Sequence, residues 1–410
     1  MALLDGILER GSPSAGAQGI VARSLEAVRQ HLGMEVAYIS EFVDNDSVFR
    51  VVDAPGLEAL IKPGDSRSLD DVYCRHILAG RLPELIPDTS AIPLSAGMPI
   101  TRAIPIGSHV SVPIRLDDGS VYGMFCCLSP QTNSSLNVRD LQVMRAFADI
   151  AAGEIRRERQ AGAEAVAMRA RLRAVIDDEL FAIHFQPIWD FRHEAPVGFE
   201  CLTRFSAEPV RSPDKWFAEA AALGLGLELE LAAIRSALAA SAALPDSVYV
   251  AINAAAETIL SPDLATALAG VDGRRIVLEL TEHAAVSDYD GLVSAIASYR
   301  ARGVRLAIDD AGAGYSGLQH IVRLKPDIIK LDMALTRNVD TDPARRALAA
   351  ALIHFARETD CQILAEGIET DEERRTLKLL GVAKGQGYHL GRPMALADAI
   401  ALCAPVTKVA

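Results

Sequence analysis

At 410 residues the chain is long enough for two or three domains, each able to bury a full core, and with half its residues apolar it is globular rather than disordered. A formal net charge of −13, with no basic stretch to offset it, argues against nonspecific binding to nucleic acid or to anionic membrane, so an anionic ligand has to be received locally. No apolar run reaches the roughly 18–20 residues of a membrane span, and the opening MALLDGILERG is too short and too acidic for a signal peptide, so a cytoplasmic protein is expected.

Residues 15–155 alternate helical and strand patterns. The clearest element is a hairpin in VSVPIRLDDGSVYGMFCCLS. Val110, Val112 and Ile114 recur with period two, Asp118 and Gly119 supply the turn, and Val121, Gly123 and Phe125 resume the alternation, which predicts two central antiparallel strands. Together with DVYCRHILAGRLPELIPDTS this segment resembles a GAF domain, a small α+β sensor module. The resemblance implies a pocket over one face of an antiparallel sheet, for an unknown small ligand or for none. Cys74, His76 and His109 are candidates to line such a pocket or to ligate a haem, with structural roles as the plainer expectation. The six cysteines form no CxxC pair and Cys126 adjoins Cys127, so buried thiols are expected rather than a disulfide framework or a zinc site.

From 138 to 178 the chain turns helical and charged. Leu141, Ala148 and Ile155 repeat at seven residues with Met144 and Ala151 between them, which predicts a continuous helix joining the domains and a seam along which two chains pair as a homodimer. The alternative is a helix that packs on its own domain.

After residue 180 apolar runs appear at IHFQPIWD, GFECLTRF, VYVAIN, IVLELTE, VRLAIDD, DIIKLD, QILAEGI and GQGYHLG, mostly separated by Ala- and Leu-rich segments with helical spacing. Eight strands with helices between most of them predict an α/β fold, a TIM-like (β/α)8 barrel. Polar residues fall in or just after seven of these runs, mostly towards the C-terminal end: Glu200 and Arg204, Asn253, Glu279 and Glu282, Asp309 and Asp310, Lys330 and Asp332, Glu366 and Glu369, and Gln386. In a barrel such ends converge on one mouth. A mouth with this many carboxylates repels itself unless cations are bound, and oxygen donors without His or Cys favour Mg2+ or Mn2+ over zinc. Asp309 and Asp310 show the problem most sharply, because two adjacent carboxylates ending an apolar strand stay ionised only around a cation.

Residues 170–405 resemble the EAL domain, the phosphodiesterase of cyclic di-GMP signalling, through FECLTRF, AINAAAE, LELTE, AIDDAGAGYSGL, IIKLD, AEGIET and GQGYHLGRP. The resemblance implies hydrolysis of cyclic di-GMP to linear pGpG with two metal ions at the mouth of the barrel, under control of the GAF-like domain. It implies that Glu200, Asn253, Glu279 and Asp309 hold one ion, and that Asp309 bridges to a second that Asp310 and Glu366 help to place. Lys330 would orient the attacking water or the scissile phosphate, and Glu282 would anchor the loop after Asp310. Gln186, Leu202, Arg204, Asp332, Glu369 and Gln386 would contact substrate.

Two departures from the family pattern stand out. Cys201 replaces the alanine of the family's name, and alternation places it opposite to Glu200, Leu202 and Arg204, towards the helices. Ala311 and Ala313 replace the usual Phe and Thr in a loop that the family uses to link metal site and dimer contact. The rival readings are a catalytically silent cyclic di-GMP receptor and a signalling scaffold. The full set of ligand positions favours hydrolysis, and no segment resembles the GGDEF signature of a cyclase.

Overall fold

The computed structural model describes residues 17–280, 286, 288–311 and 315–404, the side chains of 17, 18, 310, 311 and 315–318 excepted. The chain divides into two units between Val166 and Ala167.

The first unit comprises α1 Ala17–Leu32, β1 Val36–Val43, β2 Asp46–Asp53, β3 Ser66–Ser68, α2 Tyr73–Leu78, β4 Leu85–Ile86, the short helices α3 Pro93–Gly97 and α4 Pro99–Ala103, then β5 Ser108–Arg115 and β6 Val121–Ser129. The strands form one antiparallel sheet in the order β3-β2-β1-β6-β5-β4. The hairpin read from the sequence is β5–β6, with Gly119 at φ +81° in its turn. Alternation along β6 splits the core in two. Phe125 and Cys127 pack with Val21, Leu25 and Val28 of α1, whereas Met124, Cys126 and Leu128 face a second cluster that includes Tyr73, Cys74 and Ile77 of α2.

Helix α5 spans Val138–Asp177 as one 40-residue helix, and the chain passes from the first unit to the second within it. The expected pairing seam is corrected here. Met144, Ala148 and Ala151 are 0%, 2% and 3% exposed in the core shared with α1 and the sheet, and Leu141 and Ile155 pack against the same cluster. A seven-residue repeat marks an apolar stripe without saying which chain covers it, and here the helix's own domain does.

The second unit runs β7 Phe181–Asp190, β8 Ala195–Phe205, α6 Pro213–Ala222, α7 Gly226–Ser241, β9 Tyr249–Asn253, α8 Ala256–Leu260, α9 Pro262–Ala267, β10 Ile276–Leu280, α10 Tyr289–Arg300, β11 Arg305–Ala311, α11 Tyr315–Leu324, β12 Ile328–Leu331, α12 Met333–Thr336, α13 Pro343–Glu358, β13 Gln362–Ala365, α14 Asp371–Leu380, β14 Lys384–Gly385 and α15 Leu396–Cys403. Its strands close a barrel in the order β10-β11-β12-β13-β14-β7-β8-β9.

Two details depart from a plain (β/α)8 reading. Strand β7 runs antiparallel to both β8 and β14, because residues 191–194 are too few for a parallel crossover and close a hairpin instead. The last run, GQGYHLG, contributes only Gly385 to β14. Beyond it a side chain is excluded at Gly387, where φ is +153° and an added Cβ would lie 2.2 Å from the Ile368 backbone.

Candidate active site at the barrel mouth

Six strands contribute one side chain or more to an apolar layer on the barrel axis: Ile188, Tyr249, Ala251, Val277, Ala307, Ile328 and Leu364. Side-chain period two then dictates the next tier. Two residues on from Ala251, Val277, Ala307, Ile328 and Leu364 come Asn253, Glu279, Asp309, Lys330 and Glu366. On the reversed β7 the corresponding residue precedes the layer, so Gln186 lies before Ile188 and pairs with Glu200 across the hairpin. Glu366 and Gln386 lie just past their strands, held by backbone bonds from Glu366 to Leu331 (3.1 Å) and from Gln386 to Ala365 (2.8 Å).

Lys330 is the hub. Its side chain is fully buried, and Nζ lies 2.9 Å from Glu279, 3.0 Å from Asp309, 3.0 Å from Glu366 and 3.7 Å from Glu200. Gln386 Nε2 donates to Glu200 (2.7 Å) and to Glu366 (2.8 Å), and Asn253 donates to Glu200 at 3.4 Å. Four carboxylates thus share one ammonium. Burial pushes the Glu279 carboxyl up to about 8, opposed by Lys330 and reinforced by Glu200 and Asp309. Burial likewise raises Glu366. Burial alone would lower Lys330, but Asp309, Glu200, Glu279 and Glu366 together outweigh it and keep the ammonium protonated.

The side chains as they stand gather on Lys330, and among the described residues no group of three or more His, Cys, Asp or Glu is spaced to hold a metal ion. The chemistry of the donor set nevertheless fits a hard divalent cation. The donors are carboxylate and amide oxygens, one ammonium leaves their charge uncompensated, and Gln386 Oε1 is buried without a partner beside them.

Of the substrate-contact candidates, Gln186, Leu202, Asp332, Glu369 and Gln386 line one cavity of about 300 Å3 together with Glu200 and Glu366. Asp332 is fixed by capping α12, accepting from Ala334 N at 2.8 Å. Arg204 is not among the lining residues, and its guanidinium donates to the Thr203 carbonyl at 2.9 Å. Glu282, Ala313 and the side chains of Asp310 and Ala311 lie outside the described residues. Cys201 is 6% exposed, in the same apolar cluster as Leu231 and Ile234 of α7, and burial pushes its thiol up, with Glu200 and Glu279 acting the same way. In the first unit Cys74 and His109 are buried.

The structure adds residues that sequence reasoning did not select. Glu373, 3% exposed, completes a capping box with Thr370 at the start of α14 and accepts from the backbone of Glu369 and Asn338, both at 2.9 Å. It thereby ties the segment of Glu369 to that of Arg337, whose guanidinium pairs with Glu369 across two nitrogens and two oxygens. The Thr-x-x-Glu spacing was the available signal for Glu373. Glu230 on α7 accepts from Ala255 N (2.9 Å) and Thr258 Oγ1 (2.6 Å), securing the turn after Asn253.

The EAL domain family model matches residues 169–393, and the GAF domain model matches residues 17–155. A signalling protein of Caulobacter vibrioides is 28% identical over 77% of the chain and 38% of its own length. The cyclic di-GMP phosphodiesterase PdeR of Escherichia coli is 26% identical over 70% of the chain and 42% of its own length. The chain therefore spans less than half the length of these curated relatives. Among solved structures, the PaMucR phosphodiesterase in complex with c-di-GMP is similar over 57% of this chain and 99% of that one, at 25% identity and TM-score 0.51. The EAL enzyme Bd1971, at 18% identity and TM-score 0.56, shares the fold over 90% of this chain and 93% of its own.

Proposed function

Since the chain belongs to the EAL domain family and carries a GAF domain ahead of it, we propose that it is a cyclic di-GMP phosphodiesterase that opens one phosphodiester of the dinucleotide to give linear pGpG. The observation that carries this reading is the buried Lys330 within reach of four carboxylates at the end of the barrel strands. A tier of that charge serves no packing purpose, and two of the four carboxylates, Glu200 and Glu366, line the cavity.

A phosphodiester is an anion attacked by water, so the site must receive negative charge and activate a weak nucleophile. Two divalent ions, one held by Glu200, Asn253, Glu279 and Asp309 and the other by Asp309, Asp310 and Glu366, would lower the pKa of a water and neutralise charge on the phosphoryl oxygens. Lys330 supplies a permanent cation facing the attacked phosphate or water. Its neighbours hold it ionised, so it donates hydrogen bonds and does not act as a base. Gln386 keeps Glu200 and Glu366 oriented, and the capped Asp332 with the paired Glu369 presents fixed acceptors at the rim. The GAF domain would set the rate, with α5 as the covalent path between the units.

Purified chain incubated with cyclic di-GMP and Mg2+ or Mn2+, followed by chromatography, tests the reading. Release of pGpG supports it. Recovery of bound but intact dinucleotide would replace it with a receptor.

A further inference from the structure

Three residues of the cavity rim, Met333, Arg337 and Tyr388, have no part in the hydrolytic chemistry. Beyond the floor of Glu200, Glu366 and Gln386 the cavity is lined by Met333, Arg337, Glu369 and Tyr388. Met333 is 48% and Tyr388 52% exposed, so a long apolar side chain and an aromatic ring both stand open at one place. Arg392, which does not line the cavity, lies 4.2 Å over the Tyr388 ring. With one face of the ring covered by a cation, the other face is the one left for a flat group to stack on.

Arg337 carries the second observation. Its terminal nitrogens pair with both carboxylate oxygens of Glu369, and that guanidinium holds the Glu369 carboxyl below its ordinary range, so the pair is ionised and the guanidinium plane is fixed. A guanidinium has five N–H donors arranged along two forked edges. Glu369 occupies one edge. On the other, Nε is buried and has no hydrogen-bond partner, which leaves a planar pair of donors unspent on a residue that lines the same cavity as Tyr388. Glu373 braces the arrangement by binding the backbone of Glu369 and of Asn338, next to Arg337.

We propose that Arg337 is a specificity-determining residue for the base: held by Glu369 on one edge, it donates from Nε and one terminal nitrogen to O6 and N7 of a guanine stacked on Tyr388. Guanine offers two acceptors on that edge and adenine an acceptor beside a donor, so a guanidinium fork accepts the first and rejects the second. A volume of about 300 Å3 suits one base with its phosphate, so the second half of the dinucleotide would lie outside it. This inference rests on the phosphodiesterase reading of the same cavity.

Full-length protein assayed with cyclic di-GMP, cyclic di-inosine monophosphate, which keeps O6 and N7, and cyclic di-AMP tests it. The wild type should take the first two and reject the third. Arg337→Ala should raise KM for the guanine and inosine substrates by about tenfold or more, equivalent to about 1.4 kcal/mol, with the loss falling on KM rather than kcat. The preference over adenine should shrink accordingly. Arg337→Lys should not restore it, because an ammonium cannot fork. Tyr388→Ala should raise KM for all three nucleotides alike. Wild-type cleavage of cyclic di-GMP with an unchanged guanine-to-adenine ratio in Arg337→Ala would overturn the inference and leave the phosphodiesterase reading standing. A wild type that binds without cutting would sink the hydrolysis reading alone, since calorimetric binding of the same three nucleotides then decides the role of Arg337. A wild type that binds none of them would overturn both.

Discussion

The apolar layer of Tyr249, Ala251, Val277, Ala307, Ile328 and Leu364 and the polar tier of Asn253, Glu279, Asp309, Lys330 and Glu366 stand on the same strands, most of them two residues apart. Most of both sets is removed from solvent, Ile328 at 3% and Lys330 at 0% exposure, with Asp309 and Glu366 part-buried and Asn253 exposed, yet burial acts on the two sets in opposite directions. Each apolar side chain gains from leaving water. Each carboxylate of the upper tier loses hydration and is repelled by its neighbours, with one ammonium as partial relief. A fold that retains such a tier holds it for what the tier can bind, and the layer beneath supplies the packing that keeps it in place.

The largest expected effect breaks the comparison from above. Glu279→Gln replaces a carboxylate that could ligate a cation with an amide of the same shape, so the rate of cyclic di-GMP hydrolysis should fall by at least about 100- to 1,000-fold. The melting temperature of the chelator-treated protein near neutral pH should hold, because burial already favours the protonated form of the Glu279 carboxyl there. EDTA should abolish turnover. Full activity in EDTA, or a Glu279→Gln variant that melts much lower, would show that the tier is structural after all.

One tier down the pattern should invert. Leu364→Ala opens a cavity in the axial layer and should cost about 3 kcal/mol in urea unfolding, within the usual 2–5 kcal/mol for such truncations. Turnover per folded molecule should drop far less than in Glu279→Gln. A variant of normal stability that had lost its activity would mean that the two tiers are not separable.

Glu373 sharpens the comparison, being a buried carboxylate outside the upper tier. It satisfies backbone donors at Asn338, Glu369 and Thr370. Glu373→Ala should cost about 1–2 kcal/mol of stability, and should weaken cyclic di-GMP binding through the loosened Glu369 while metal dependence persists. Loss of metal dependence would place Glu373 with the catalytic carboxylates instead.

The contrast between tiers was legible in the sequence to the extent that it is local. Period two within a strand and polar residues at strand ends are visible in LELTE or IIKLD without any knowledge of partners. Lys330 as the hub was not visible, because its four partners come from four other strands and only closure of the barrel brings them together. The reversed β7 could have been foreseen from the four residues 191–194, since so short a connection makes only a hairpin. Arg337 left no pattern and Tyr388 was not distinguished within GQGYHLG, because only the fold brings the two to one cavity. The heptad of α5 misled for the complementary reason: an apolar stripe reports that something covers it and is silent on what.

The smallest effect is expected at Cys201, one residue from the tier. It follows Glu200 on β8, so alternation turns its side chain away from the axis and into the cluster with Leu231 and Ile234. Its register neighbours are Phe185 on β7 and Ile252 on β9. Burial holds the thiol protonated, and the nearby Glu200 and Glu279 carboxylates disfavour a thiolate further, so Cys201 lacks the ionisation a nucleophile needs. Cys201→Ala removes one sulfur atom from a helix-facing position and should cost about 1 kcal/mol of stability or less, with kcat within about threefold of the wild type. A drop beyond about tenfold, or 1.4 kcal/mol in barrier, would show that the strand's outer face contributes to the chemistry and that alternation does not separate packing from function on β8.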